Sequence, residues 1–439
     1  MSEGKGAQQK MVIQRGVRIV TNYFAMNRED LEEEYQSLKR IYKEYCDKGL
    51  KLDMSRGKPS PEQLDLSMDM LSIRDYIGET GIDSRNYGNL EGMPEARTFF
   101  AQILGAKPEE VIVGGNSSLN MMYYLVELGW RSGFADSPRP WSAGKPKFLC
   151  PAPGYDRHFR VTEYFGFDLV TVPMLPTGPD MDQVEKLVQD EEVKGIWCVP
   201  LYSNPDGYSY SDETVRRLAA MKTAAPDFKI FWDNAYCVHH LTDTPDHVLN
   251  ILDECRKVGC EDRPLMFCSL SKVTFPGASV AAMAASLKNV EYILKNMFSM
   301  IISYDKFNQL RHVKFLKDAN GVAAHMEKHR QIVEPKFKTV LSIFDKELGD
   351  YEKLAHWTKP NGGYFISLYT QGVAKRTVQL CKEAGVVLTG AGAAYPYGID
   401  PDDTNIRIAP TYPPLEELET ATHLLCVAVK LATVEKLLA

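Results

Sequence analysis

Short apolar and β-branched runs alternate along most of the chain with amphipathic stretches. Helix candidates such as SDETVRRLAAMK, where Ser211 can cap the first turn, separate the runs. Strands that alternate with helices predict an α/β fold, with a mostly parallel seven-stranded sheet flanked by helices. The seven candidate strands are VIVGG from Val111, KFLCP from Lys147, DLVTVPM from Asp168, GIWCVP from Gly195, FKIFWDNA from Phe228, LMFCSLSK from Leu265 and SVAAMAAS from Ser279.

The pattern changes after about residue 290. A long helical stretch to about His329 predicts one or two connecting helices, and GGYFISLY, GVVLTG and NIRIAP beyond it predict a smaller α+β domain. The charged N-terminal segment REDLEEEYQSLKRIYKEY is typical of a helix, which we expect to pack on that second domain. We therefore predict a large domain over residues 56–300, and a small domain formed by residues 1–55 and 301–439.

Composition argues against several classes of protein. The chain has 439 residues, 44% hydrophobic and 25% charged, with a net charge of −7 and no basic stripe, so we do not expect a nucleic-acid partner. Nine cysteines between Cys46 and Cys426 contain no CxxC pair, which favours reduced thiols in the cytoplasm over disulfides or a metal site. No window is apolar enough for a membrane span, and the N-terminus lacks the apolar core of a signal peptide.

Lys272 follows an apolar run and lies among small hydroxyl residues in FCSLSKVTFPGASV. Taken alone, this position also fits a turn lysine that points into solvent. The ends of the other predicted strands change the interpretation, because ligands of open α/β sheets bind at the carboxyl ends of the strands.

Five strand ends carry groups that one ligand could use together. Each group alone also fits a helix cap, a turn or ordinary packing. The groups are Asn116 and Ser117 at the start of a helix after VIVGG, Tyr155 after KFLC, Asn204 after GIWCVP, Asp233 with Tyr236 after FKIFW, and Lys272 after LMFC.

Pyridoxal 5'-phosphate needs all of these groups. Its aldehyde needs a lysine, its ring nitrogen needs a carboxylate that keeps it protonated, and its phosphate suits the N–H groups at a helix N-terminus. The order of the motifs therefore indicates that Lys272 is a covalent anchor for this cofactor.

At this level of detail the chain resembles the fold-type-I pyridoxal-phosphate aminotransferases, and within them an aspartate aminotransferase subgroup sometimes described as MocR-type. The resemblance covers about residues 50–425. The motifs that carry it are SRGKPSPEQLDLS, RNYGNLEGMPEAR, GGNSSLNMMY, YSNPDG and SLSKVTFPGAS.

The resemblance implies a role for each matching residue. Lys272 would anchor the cofactor, Asp233 would bind the pyridine nitrogen, Asn204 and Tyr236 would donate to the ring oxygen, and Tyr155 would stack on the ring. Arg407 would clamp the substrate α-carboxylate, beside Asn204 and under a loop that contains Gly57. The phosphate would be held by Gly115, Asn116, Ser117, Ser269 and, from the neighbouring subunit of a homodimer, Tyr87.

The chain departs from the family pattern at one position. An arginine usually lies eight residues after the lysine and neutralises the phosphate, but here that position is Val280, with Ser279 as the nearest polar residue. We therefore expect hydroxyl and N–H groups to do more of this work. The N-terminal segment ahead of the motifs also looks too short for the DNA-binding domain of MocR-type regulators.

The function that the resemblance implies is ping-pong transamination between an amino acid and a 2-oxo acid, with aspartate and 2-oxoglutarate as the expected pair. Two alternatives stay open: a β- or γ-eliminating lyase with the same anchor, and a catalytically silent cofactor-binding regulator. A dicarboxylic substrate also needs a second cation, for which Arg56, Lys58 and Arg85 are candidates.

Overall fold

The computed structural model describes residues 21–439. The β-strands within these residues are, in chain order, β1 Leu52–Asp53, β2 Val111–Val113, β3 Lys147–Ala152, β4 Asp168–Leu175, β5 Gly178–Pro179, β6 Val193–Cys198, β7 Lys229–Asp233, β8 Pro264–Ser269, β9 Ala281–Ala284, β10 Ala355–Trp357, β11 Ile366–Thr370, β12 Val386–Val387 and β13 Asn405–Ile408.

The α-helices within the same residues connect and cover these strands. They are α1 Arg28–Asp47, α2 Pro61–Asp65, α3 Pro94–Leu104, α4 Ser118–Ser132, α5 Asp156–Tyr164, α6 Met181–Leu187, α7 Asp212–Ala220, α8 Ile251–Lys257, α9 Leu287–Met297, α10 Lys306–Leu316, α11 Ala319–Glu347, α12 Ala374–Glu383 and α13 Leu415–Leu438.

The large sheet has the strand order β2-β9-β8-β7-β6-β3-β4-β5. The central strands β8, β7, β6, β3 and β4 are parallel, whereas β9 runs antiparallel to both of its neighbours. All seven predicted strands are present. The sequence did not predict β5, a two-residue strand that pairs antiparallel with β4 at the sheet edge. The predicted fold class is confirmed.

Helices cover the sheet on both faces, so its central strands are buried along their whole length. Every residue of β6 and β7 is buried, as expected for parallel strands that pack against helices on two sides. One apolar cluster includes Phe99 and Trp232, and a second one includes Phe148 and Trp197.

A third apolar cluster lies around the sheet β10-β11-β13, the β1–β12 pair and helices α11 and α13. Leu31 and Leu38 of α1 belong to it, in agreement with the predicted packing of the N-terminal helix. Where the sequence predicted one or two helices after residue 290, the structure has α9, α10 and the 29-residue α11. The domain boundaries stay a prediction.

The length and hydropathy of the helices show whether any of them could cross a membrane. Within residues 21–439 the structure contains no helix that combines the length and the apolar character needed to cross a bilayer.

Candidate active site

A cavity of about 630 Å³ lies at the carboxyl ends of the parallel strands, between the large sheet and β13. Four neighbouring strands lead into it: β8 toward Lys272, β7 ending at Asp233, β6 toward Asn204, and β3 toward Tyr155. Its lining includes these predicted residues: Gly57, Ser117, Tyr155, Asn204, Asp233, Tyr236, Ser269, Lys272 and Arg407.

Lys272 lies three residues after the end of β8. The neighbouring strand β7 ends at Asp233. Its Nζ is 4.8 Å from the ring centroid of Tyr236 and 5.8 Å from that of Tyr364. Burial lowers the pKa of Lys272 below its usual value, and the charge of Asp233 opposes the shift only in part. A larger fraction of the amine is therefore neutral, which is the form that acts as a nucleophile or base.

Asp233 is 2% exposed and its two oxygens have different surroundings. Oδ2 lies 2.9 Å from Nε2 of His158, whose ring stacks on Trp197 at 4.5 Å. Oδ1 is buried and has no hydrogen-bond partner among the described residues. Since an unpaired buried carboxylate oxygen is costly, Oδ1 fits a ligand with a cationic N–H.

The two predicted tyrosines, Tyr155 and Tyr236, line the cavity together with Asp233. Burial, with a smaller contribution from Asp233, raises the pKa of Tyr155 to about 12. Burial, with smaller contributions from Tyr155 and Asp233, also raises the pKa of Tyr236 well above its usual value. Both phenols stay protonated at neutral pH, so each can donate a hydrogen bond.

Four hydroxyl groups line the cavity where α4 begins: Ser117, Ser118, Ser269 and Ser271. The N-terminus of this 15-residue helix adds free N–H groups and the positive end of the helix dipole. Val280, which replaces the usual arginine, is 2% exposed and belongs to the apolar core.

Gly115 and Asn116 do not line the cavity, although both were predicted to hold the phosphate. The carbonyl of Gly115 accepts from the N–H of Ala281 at 2.7 Å. The carbonyl of Asn116 accepts from the hydroxyl of Ser271 at 3.3 Å, so Asn116 contacts the lining without forming part of it.

Arg407 lies on β13 between Ile406 and Ile408, which are buried as the strand alternation predicts. Its Nη1 donates to Oδ1 of Asp156 at 2.9 Å and to Oδ1 of Asn204 at 3.3 Å. Its Nε also donates to the hydroxyl of Thr389 at 3.4 Å. These contacts hold the guanidinium at the cavity wall.

Gly57 lies against the ring of Phe365, which also faces Arg407 at 5.1 Å. A Cβ at position 57 would lie 2.4 Å from Cζ of that ring, so only glycine fits without a shift of Phe365. The close approach brings the segment 55–58 to the cavity wall.

Two of the three candidate cations for a second substrate carboxylate line the cavity, and the third does not. Arg56 and Lys58 line the cavity, together with Arg157, which the sequence did not suggest. Arg85 does not line it: Arg85 forms a bidentate pair with Asp83 and lies 3.7 Å from the ring centroid of Tyr76.

Tyr87 also lies outside this cavity. Its side chain is 79% exposed and lines a separate surface depression with residues 298–303. Its predicted contact with the site of a neighbouring subunit stays a prediction.

Sequence reasoning missed His158 and Asp156. Both belong to the segment PAPGYDRHF, which the sequence singled out only for Tyr155. His158 is three residues beyond Tyr155, about one helical turn into α5. That spacing was the available signal, because it puts an imidazole on the same helix face as the ring.

Residues 26–439 match the family model described as aspartate amino-transferase. The chain belongs to this family. An aspartate aminotransferase of Corynebacterium glutamicum is 45% identical over 406 residues, which cover 91% of this chain and 94% of the relative. A solved structure of an aspartate transaminase from the same species superposes with a TM-score of 0.91 at 44% identity, covering 94% of this chain and 98% of that one. The predicted enzyme class, an aminotransferase, is confirmed.

More distant aminotransferases share the fold of this family member. LysN, an α-aminoadipate aminotransferase of Thermus thermophilus, was solved in complex with N-(5'-phosphopyridoxyl)-L-leucine. It matches with a TM-score of 0.71 at 21% identity, over 88% of this chain and 93% of that chain.

Proposed function

We propose that this family member is a pyridoxal-phosphate-dependent aminotransferase that exchanges amino groups between aspartate and 2-oxoglutarate by a ping-pong mechanism. The observation that carries the proposal is the meeting of Lys272, Asp233 and Arg407 in one cavity. These are an amine, a carboxylate and a guanidinium, and each suits a different part of the cofactor–substrate pair.

The residues present fit the cofactor. The unpartnered Oδ1 of Asp233 suits a protonated pyridine nitrogen, and the hydroxyls of Ser117, Ser118, Ser269 and Ser271 at the start of α4 suit a phosphate. When bound, pyridoxal phosphate supplies an aldehyde that reacts with amines and a ring that withdraws electrons from the substrate Cα.

The side chains then have distinct tasks. Arg407 binds the α-carboxylate and so orients the Cα–H bond of the amino acid. With cofactor and substrate bound, the amine of Lys272, kept partly neutral by burial, would take the proton from the substrate Cα and return it to the carbon of the cofactor's aldehyde group. Asp233 would keep the ring nitrogen protonated, and His158 fixes the orientation of Asp233. Tyr236 would donate a hydrogen bond to the ring oxygen.

The side-chain carboxylate of an acidic substrate needs its own cation. We propose Arg56, Lys58 or Arg157 for this contact, because all three line the cavity. Lys58 has an additional contact, with its Nζ 3.8 Å from the ring centroid of Tyr412. Arg85 is paired with Asp83 away from the cavity of its own chain.

Single half-reactions test the proposed function. The protein is loaded with pyridoxal phosphate and mixed with L-aspartate and no acceptor, and the visible spectrum, oxaloacetate and ammonia are followed. One equivalent of oxaloacetate without ammonia is the expected result. Release of ammonia would favour the eliminating lyase, and an unchanged spectrum with every amino donor would favour the silent regulator.

We further propose that the active form is at least a homodimer, with Tyr87 completing the site of the partner. An exposed apolar patch supports this: Tyr87, Phe298, Met300 and Ile302 are 79%, 70%, 53% and 53% exposed and line one depression.

Met300→Asp should weaken association in sedimentation velocity and lower activity in parallel. Val258→Asp, at an equally exposed position of 48%, is the control. A fully active monomer would contradict the dimer.

Three finer assignments are proposals of the same kind. We assign the chain to the MocR-type aspartate aminotransferase subgroup on the strength of its ordered motifs. We assign it to the cytoplasm, supported by nine free cysteines among the described residues. We also propose the division into a large domain, 56–300, and a small domain, 1–55 plus 301–439, of which residues 1–20 lie outside the described residues. The third apolar cluster supports the small domain, whereas Leu310, Leu316, Val322 and Met326 pack in the core of the large sheet.

A further inference from the structure

The backbone at Lys272 is held by buried polar side chains that come from outside the large sheet. Tyr364, just before β11, donates its hydroxyl to the carbonyl of Lys272 at 3.4 Å. His325, on α11, lies with Nε2 2.9 Å from the carbonyl of Val273. Two consecutive carbonyls at the proposed anchor are therefore each fixed by a side chain.

The first of these contacts leads back to one residue, Gln63. It is 0% exposed and is the third residue of α2. Its Oε1 accepts from the backbone N–H of Ser60 at 3.1 Å, which fixes the amide orientation, since an N–H cannot donate to an NH₂ group. Its Nε2 then donates its two hydrogens, to the hydroxyl of Tyr364 at 3.0 Å and to Nδ1 of His329 at 3.0 Å.

The fixed amide determines the tautomer of His329. Because Nδ1 accepts from Gln63, the neutral imidazole carries its hydrogen on Nε2. Burial lowers the pKa of His329 to about 4, so the ring is neutral at physiological pH. The nearby carbonyl of Val273 opposes this shift in part.

His325 carries its hydrogen on Nε2 as well, because the carbonyl of Val273 can only accept. The Nε2 atoms of the two rings are 3.2 Å apart. Two N–H groups cannot donate to each other, so His325 donates to the Val273 carbonyl and the His329 ring packs edge to face against the His325 ring.

We propose that Gln63 is a positioning residue for Lys272. One amide hydrogen acts through Tyr364 on the carbonyl of Lys272. The other holds His329, which packs against the His325 ring that donates to the carbonyl of Val273. Gln63 is five residues from Lys58, so the same short helix follows the segment 55–58 that lines the cavity. The amide thereby connects that segment to the backbone of the lysine.

The inference rests on the proposed role of Lys272, and a matched pair of variants tests it. Gln63→Leu removes both donors. Gln309→Leu makes the same change at another buried glutamine, 1% exposed, whose Oε1 accepts from the N–H of Met93. Gln63→Glu keeps the size and the acceptor for Ser60 but supplies no amide hydrogens, so it serves if the leucine variant folds poorly.

The expected result is a kcat for L-aspartate that falls about 3- to 10-fold in both Gln63 variants, the effect of one or two weakened buried hydrogen bonds. KM should stay near the wild-type value, because Arg407 is untouched. The pH midpoint of the visible band of the cofactor-loaded protein should also shift in the Gln63 variants and not in Gln309→Leu. Both measurements report on Lys272, whereas a purely structural role would change only the melting temperature.

Gln63 variants that match Gln309→Leu in kcat and in the pH midpoint would overturn the inference. A failure of the proposed function has a different signature: the wild-type protein itself would form no cofactor band, or Lys272→Ala would keep one.

Discussion

Nη1 of Arg407 lies 2.9 Å from Oδ1 of Asp156, so the guanidinium proposed to bind a substrate carboxylate already has a carboxylate partner. The side chain of Arg407 is 10% exposed and that of Asp156 is 33% exposed. A substrate carboxylate therefore has to replace Asp156 or share the guanidinium with it. Either event makes the Arg407–Asp156 pair a determinant of substrate affinity.

Arg407→Lys should lower kcat/KM for every amino-acid donor by about 10- to 150-fold. A lysine cannot reproduce the two-pronged contact, and one charge-assisted hydrogen bond contributes about 1.5–3 kcal/mol. The loss should be similar for aspartate and for alanine, since both have an α-carboxylate. If only acidic donors were affected, Arg407 would be the side-chain contact; if none were affected, it would have no substrate role.

Asp156→Asn should tighten the binding of a non-reacting dicarboxylate such as succinate by about 2- to 10-fold, because removal of a partly exposed competing charge is worth on the order of 1 kcal/mol. Titration of the visible band of the cofactor-loaded protein measures this affinity.

The chain offers a matched control for that variant. Asp212 is also the first residue of a nine-residue helix and also pairs with an arginine, Arg216, but on the surface. Asp212→Asn should leave the succinate affinity unchanged. Weaker binding in Asp156→Asn would mean that Asp156 positions Arg407 rather than competing for it.

His158→Phe should weaken cofactor binding and lower kcat, each by about 5- to 150-fold. The phenylalanine keeps the stack on Trp197 but leaves Oδ2 of buried Asp233 without its partner, which costs about 1–3 kcal/mol. His356→Phe, at a histidine stacked on Tyr369 outside the cavity lining, is the control. An unchanged cofactor affinity in His158→Phe would remove His158 from the site.

Buried histidines should make stability depend on pH. Burial lowers the pKa of both His312 and His329 to about 4, so the unfolded chain binds more protons between about pH 6.5 and pH 4. Each histidine contributes on the order of 3 kcal/mol that is fully present above about pH 6.5 and is lost as the pH falls to about 4.

The measurement is urea unfolding of the wild type and His312→Gln at several pH values between 7.5 and 5. The variant should be less stable at pH 7.5 and should have a shallower slope. Asp206 acts in the opposite direction in both proteins, because burial raises its pKa to about 6; the difference between the two slopes therefore isolates His312. Equal slopes would contradict the assignment.

Much of the fold and of the candidate site can be predicted from the sequence, because the candidate functional residues directly follow the predicted strands. The apolar runs of β6 and β7 are buried on both faces, so their pattern was unambiguous, and the polar residue after each run lies at the same sheet edge. Strand alternation also predicted the orientation of Arg407, since its neighbours Ile406 and Ile408 had to be buried, whereas its proposed role came from the family resemblance.

The remaining features depend on contacts between distant segments. The pairing of Asp156 with Arg407 joins residues 251 positions apart, and no local pattern reports it. β5 was missed because a two-residue strand containing Pro179 has no periodicity. Gly115 and Asn116 follow a strand as expected but are not part of the cavity lining, and their role in holding the phosphate stays a prediction.

The most direct test of the account is to locate the cofactor on the chain. The protein is loaded with pyridoxal phosphate, reduced with borohydride, digested and sequenced by mass spectrometry. Lys272 should carry the phosphopyridoxyl mass, and Lys272→Ala should retain no label. A label on another lysine of the cavity, such as Lys58, or an unchanged label in Lys272→Ala, would contradict it.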